Sequence, residues 1–332
     1  MGRGPRSEQS HGTVVARKIS TRNATAPATA PSVAPSGPSL RQALNSLRRW
    51  ADLQTSPNSV EREELYGIVN AVVPVMHNAA QDWNIKQANR KANHNPLRDA
   101  LVPGMSKAAS QSRSFDSSHG IWLEEMSAAI VRHKFGGGES KTFTGFATRR
   151  PRSAHKVTTK TVDIWSSADP HLVKNEAKKL LAYIEKGHKI GSQEFAKKYQ
   201  QAVGKVNAGG RVNPWLSHAD MGITDDGFFQ IKAGGNLDES KAPAEVSKLI
   251  EACLAYGDEK MLPRFGLCYA NRGEGKAPDG SLPKYFNWSP SDKNSPMLVG
   301  AQFWEHILPK SVSYPLFLQM YNKIGSTIPF NH

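Results

Sequence analysis

A chain of 332 residues, 38% of them hydrophobic, is long enough for one large domain or two ordinary ones, and it holds no run near the roughly 18 apolar residues of a membrane span. It therefore reads as a soluble protein and not as an integral helical membrane protein. Lys and Arg number 43 against 29 Asp and Glu, a formal net charge of +14 that makes nucleic acid the first partner to consider, because such a surface concentrates polyanions. Two cysteines, Cys253 and Cys268, supply neither a disulfide framework nor a zinc set, which agrees with a reducing cytoplasm.

The first 39 residues end in "ATAPATAPSVAPSGPS", preceded by Arg3, Arg6, Arg17, Lys18 and Arg22. Such a segment buries too little to offset its ordering entropy, so a flexible basic tail is predicted, without the apolar stretch of a secretory signal. Helices are predicted from 40 to 134. Leu40, Ala43, Leu44, Leu47 and Ala51 form a helical stripe; Asn58 and Glu61 form a capping pair before "REELYGIVNAVV", a helix that Pro74 should kink or end. A third helix, "GIWLEEMSAAIVRHKF" (120–135), carries Trp122, Met126, Ala129 and Ile130 on one face and stops at Gly136-Gly137-Gly138.

From 141 to 160 the chain holds Lys141, Arg149, Arg150, Arg152, Lys156 and Lys160 and no acid, in a Thr- and Val-containing context that suggests strands or an extended loop. It is either a solvated face or a set of phosphate contacts. Two lysine-rich helices follow, one on Leu172, Val173, Ala177, Leu180, Leu181 and Ile184 ended by Gly187, the other on Phe195, Tyr199 and Val203, opened by Ser192 and closed by Gly204.

"HADMGITDDGFFQIKAGGN" (218–236) then places Asp220 before an acidic turn, and Gln230 and Lys232 on the following strand. "TDDG" has the composition of a three-residue hairpin loop with Gly227 in the left-handed position. That closure pairs Thr224 with Phe228 and sets Asp220 opposite Lys232, with Gln230 on the same face; a two-residue loop would pair Asp220 with Ile231 and turn it away. A carboxylate and an amide oxygen side by side suit Mg²⁺, and a neighbouring lysine can orient or deprotonate a water: the chemistry of phosphodiester hydrolysis.

Asp220 followed by Gln230-Ile231-Lys232 resembles the PD-(D/E)xK nuclease superfamily, in the variant where glutamine replaces the second acid. The resemblance implies an α/β (mixed α+β) fold: a restriction-endonuclease-like core with a mixed β-sheet flanked by helices, here with a helical N-terminal elaboration. "GIWLEEMSAAI" is similar to the entry helix that often supplies another acid, which makes Glu124, or Glu125 as the alternative, a third metal-site residue. "FFQIKAGGNLDESKA" and "LVGAQFWEHIL" resemble type II restriction endonucleases that cut sites with a GGNCC core. The likeness covers about residues 115 to 320, and Ala219 stands where the superfamily has proline.

What it implies is a Mg²⁺-dependent, cytoplasmic homodimer that takes part in restriction-modification defence without a nucleotide cofactor. It would cut double-stranded DNA at a GGNCC-containing palindrome to 5′-phosphate and 3′-hydroxyl ends. The organisation then reads as a tail at 1–39, a helical region at 40–114 for dimerisation or DNA contact, and a catalytic core with recognition loops at 115–332.

The C-terminal third agrees with that order. "APAEVSKLIEACLAYG" (242–257) reads as a helix with Val246, Leu249, Ile250 and Cys253 inward, "RFGLCYA" (264–270) as a buried strand, and 271–296 as a long polar loop region. Arg272, Lys276, Lys284 and Asn287 in that loop, with Arg149, Arg150, Arg152 and Lys156 upstream, are the candidate DNA contacts. "QFWEHIL" and "YPLFLQMYNKI" supply core packing or a dimer contact. No GxxxxGK or GxGxxG motif is present, His94 lacks paired zinc cysteines, and His218 reads as a groove residue beside Asp220. The alternatives are a DNA-binding protein on a catalytically silent core and a repair or junction nuclease of the same superfamily.

Overall fold

The computed structural model describes residues 37–88, 105–135, 143–144, 162–223, 226–234, 237–270, 273, 275–278 and 280–330. Residues 1–36 of the basic tail, His94, Gly136-Gly137-Gly138, Arg149, Arg150, Arg152, Lys156 and Arg272 lie outside them, whereas Ser39 at the tail's end is described.

Helix α1 (Leu40–Gln54) starts where Ser39 closes a reciprocal capping box with Gln42, and Ala43, Leu47 and Ala51 are buried as the stripe requires. Ser39→Ala is expected to lower stability by about 1 kcal/mol in a denaturant titration.

Helix α2 (Val60–Ala88) continues through Pro74, so the proline does not end it. Buried Val69, Val72 and Val73 before the proline and Met76, Ala80 and Trp83 at or after it lie in one core, so tertiary packing carries both halves past the missing hydrogen bond. Its cap is also not Asn58, which takes φ 57; the Ser59 hydroxyl accepts the Arg62 N–H at 3.2 Å instead. Helix α3 (Met105–Lys134) extends well upstream of the predicted stretch and buries Trp122, Met126 and Ile130.

Strands β1 (Phe143–Thr144), β2 (Val162–Ala168) and β3 (Arg211–Ala219) form one sheet, with β1 parallel and β3 antiparallel to β2. Helices α4 (Pro170–Glu185) and α5 (Gln193–Ala208) lie between β2 and β3 in the chain. Helix α5 opens at Ser192 as expected but continues past Gly204 to Ala208, because Ala202, Val203 and Val206 keep its inner face buried.

The second sheet runs β4 (Met221–Ile223), β5 (Gly227–Lys232), β6 (Leu262–Leu267) and β7 (Met297–Val299). Strand β5 is antiparallel to β4 and parallel to β6, with β7 parallel beyond. Helix α6 (Lys241–Tyr256) makes the crossover that a parallel β5–β6 pair needs and ends at Gly257 in the left-handed conformation. Helices α7 (Ala301–Ile307) and α8 (Tyr314–Thr327) complete the chain.

The architecture is thus mixed α/β, with helices around two small sheets. The described residues between 273 and 296 form a loop region with one 3₁₀ turn at Leu282–Lys284, anchored by the buried Leu282, Tyr285 and Phe286. Among the described residues no helix is long and apolar enough to cross a membrane.

The hydrophobic interior falls into two clusters. One joins α1, α2, α3, α7 and α8 with Met221, Ile223, Phe229 and Ile231 of the hairpin; the other joins α4, α5 and α6 with Ile164, Ala219 and Phe228. Strand β5 is therefore covered on both faces, and Gln230 and Lys232 are exceptions in an otherwise apolar strand.

Candidate active site

Ala219 packs into one cluster and Met221 into the other, so the chain turns its faces over at Asp220, the single residue between β3 and β4. The observed hairpin pairs are Met221 with Phe229, Gly222 with Phe228 and Ile223 with Gly227. This differs from the predicted register: Ile223 pairs with Gly227, Asp220 lies just outside the ladder, and Gly227 is the first residue of β5 and not a left-handed loop residue. Since both paired positions move together, parity is kept. Gln230 and Lys232 share a face of β5, and the Asp220 carboxylate lies beside it, 3.8 Å from Lys232 Nζ.

Two observations explain the earlier closure. The Asp226 N–H donates to the Ile223 carbonyl at 3.1 Å, closing the turn one residue sooner. Gly227 lies so close to β6 that an added Cβ would stand 2.3 Å from the Leu262 carbonyl oxygen. Glycine is needed there for close approach, not for positive φ.

Asp220 is fixed at both ends. Its N–H donates to the Phe229 carbonyl at 3.1 Å, and its Oδ2 accepts the Ile231 N–H at 2.8 Å. The carboxylate thereby takes an amide of the adjacent strand, while Oδ1 makes no hydrogen bond among the described residues. Lys232 Nζ stands 3.8 Å from Asp220 Oδ2 and 3.7 Å from Glu245 Oε2, and Glu245 also faces Lys248 at 3.4 Å. These separations exceed those of direct charge-assisted hydrogen bonds, so the ammonium sits between two carboxylates without being locked to either.

Burial raises the Asp220 carboxyl above its ordinary value; the Lys232 charge and the Ile231 N–H pull it down, Glu245 pushes it up, and Lys248 pulls it down. The Gln230 amide is half-buried and has no hydrogen-bond partner among the described residues. Asp220 Oδ1 and the Gln230 oxygen are thus two hard donors on one face. They fit a divalent cation that keeps most of its waters. Among the described residues no three or more His, Cys, Asp or Glu side chains form a ready metal cluster.

Burial pushes the Cys268 thiol up, the charge of Glu124, half-buried on α3, adds to this, and a hydrogen bond with Ser127 one turn on pulls it down. Cys268 directly follows β6, and its N–H donates to the Lys232 carbonyl at 2.9 Å. The Glu124 side of α3 therefore faces the end of β5 that carries Lys232. Glu125, about 100° further round the helix, lies off the face that Glu124 shares with Ser127.

Among the described DNA-contact candidates none shares a hydrogen bond or ion pair with Asp220, Gln230 or Lys232. Lys276 is exposed, Lys284 pairs with Glu239, and Asn287 is exposed with its backbone bonded to Ile190.

Sequence reasoning missed Glu245. It precedes Val246 and stands four residues before Leu249, so it borders the inward stripe of α6, and that edge position was the available signal. It also missed Asp163, which pairs across β2 and β3 with His218; Asp163 Oδ1 lies 3.4 Å from His218 Nδ1, two residues before Asp220. No family model matches the chain, and neither a curated protein nor a solved structure is similar to it at a significant level.

Proposed function

We propose that this chain is a Mg²⁺-dependent endodeoxyribonuclease of the type II restriction kind, built on a restriction-endonuclease-like core. The observation that carries the reading is the hairpin face on which Asp220, Gln230 and Lys232 converge, with Lys232 Nζ 3.8 Å from Asp220 Oδ2. Further support comes from an antiparallel hairpin followed by a crossover helix and a parallel strand, and from the +14 charge of the chain.

Asp220, Gln230 and Glu124 are the residues that would hold the cation. When bound, it supplies positive charge against a phosphoryl oxygen and acidifies water. Lys232 orients the attacking water and takes part in moving its proton. Glu245 holds the ammonium from the α6 side, so Nζ stays on the hairpin face when the Asp220 carboxylate is engaged elsewhere. A near-palindromic GGNCC-type site then calls for two copies related by a two-fold axis, each cutting one strand to leave 5′-phosphate and 3′-hydroxyl ends.

The uncharged Gln230 favours one rival, a DNA-binding protein on a catalytically silent core. Incubation with supercoiled plasmid separates the two. The nuclease linearises it in Mg²⁺ and not in EDTA; the silent core binds it and leaves it intact. Mixing wild type with excess Lys232→Ala chain, under subunit exchange, is expected to give nicked circles. Gln230→Glu adds a charged oxygen at the same position, so it is expected to keep cleavage within about tenfold of wild type and to shift the Mg²⁺ concentration for half-maximal rate downward.

A further inference from the structure

Helices α1 and α8 border an open groove of about 410 Å³, remote in sequence from the hairpin. Its wall on α1 runs from Gln42 to Leu53, about 16 Å along the helix axis. Asn45, Ser46, Arg49 and Trp50 line it from α1, and Lys323 enters from α8. Every one of these five side chains carries a hydrogen-bond donor, and two are cations.

None of the five has a hydrogen-bond or ion-pair partner among the described residues, and no carboxylate lines the groove there. Asp52, the acid on α1, is turned to Arg62 and Tyr66 of α2. Lys323 and Trp50 are half-buried at the groove, whereas Arg49 is exposed. Partly burying an ammonium without a counter-charge is unfavourable, so the groove favours an anion.

We propose that this groove is a second nucleic-acid contact, in which Arg49 and Lys323 hold phosphates of the DNA backbone and Trp50 offers a surface for the sugar or base edge. The inference rests on the DNA-directed reading given above. The occupant is DNA and not a second copy of this chain, because two such grooves face to face would oppose Arg49 and Lys323 to their own equivalents. It is DNA and not a small anion because Arg49 and Lys323 stand on two different helices, and the donors from Asn45 to Trp50 extend about 7.5 Å along α1, more than one phosphate spans. At 3.4 Å of rise per nucleotide, that stretch matches about two nucleotides of one strand, one phosphate for each cation. Such a contact positions flanking duplex without reading sequence.

The test is binding of a short duplex to the full chain in EDTA, across a salt series, for wild type and the Arg49→Gln/Lys323→Gln double variant. Removing two phosphate contacts should weaken binding about tenfold near 0.1 M salt and reduce the slope of log K against log salt by about 1.8. DNA should also quench a component of tryptophan fluorescence that Trp50→Phe removes. Arg49 and Lys323 line the groove outside the core, whereas Trp50 packs against the core's edge, so phenylalanine keeps an aromatic ring there and a melting curve checks that each variant is folded. An unchanged slope in the double variant, while wild type binds and cuts DNA, overturns the groove and leaves the nuclease reading standing. A wild type that neither binds nor cuts DNA overturns both. Quenching of Trp50 by inorganic phosphate at matched ionic strength, with none by DNA, also overturns the proposal.

Discussion

Lys232→Ala and Asp220→Asn are each expected to reduce plasmid cleavage by at least about 10²-fold while the same proteins still bind duplex DNA in EDTA. In the proposed mechanism Lys232 acts on the attacking water and Asp220 on the cation, so neither change would remove a contact to the DNA backbone. The two variants differ in stability. Burial raises the Asp220 carboxyl above its unfolded value, so the fold favours its neutral form. The contribution is fully present below the unfolded pKa and is lost as pH rises through the folded one, so at neutral pH the ionised group opposes folding. Asp220→Asn should therefore melt at or above the wild-type temperature at pH 7, with the difference vanishing toward pH 3. A fall in melting temperature at pH 7 would contradict the assignment of burial as the dominant influence on Asp220.

The largest stability effect is expected from Arg264→Met. Arg264 is buried, and its Nη2 lies 2.6 Å from Asp226 Oδ1 while Nη1 donates to the Ser295 carbonyl at 3.0 Å. His306 Nε2 meets the other Asp226 oxygen at 2.7 Å, so one carboxylate ties the hairpin loop to β6 and α7. Removing the guanidinium leaves Asp226 largely buried beside an unpaired carbonyl, a loss of about 3 to 5 kcal/mol in guanidinium chloride unfolding. Adding Asp226→Asn should recover part of the loss, since the two residues form one network. Strictly additive losses would show that the ion pair does not organise the loop.

The hairpin shows what sequence carries and where it stops. Alternation of Phe228, Gln230 and Lys232 against Phe229 and Ile231 is a local property, and it placed the polar pair on one face without knowledge of the neighbours. The register depended on Asp226 and Gly227, whose roles are set by Arg264, His306 and the Leu262 carbonyl, all from distant parts of the chain. The predicted pairing was therefore displaced while the parity survived.

Pro74 makes the same point in a helix, since the core that carries α2 past it comes from other elements. Strands β2 and β3 left little trace: β2 ends in small polar residues, and β3 contains Pro214 and many exposed positions, as the edge of a sheet allows. Glu245 was invisible as a partner of Lys232 because a glutamate three residues before a lysine on a helix reads as an ordinary surface pair.

The most direct measurement digests long DNA of known sequence with the full chain in Mg²⁺ and sequences the fragment ends. The account predicts one short near-palindrome with a GGNCC core at every terminus, carrying 5′-phosphate, and no ends at all with Lys232→Ala. Intact DNA in both Mg²⁺ and Mn²⁺, or the same set of ends from the folded Lys232→Ala chain, would contradict it.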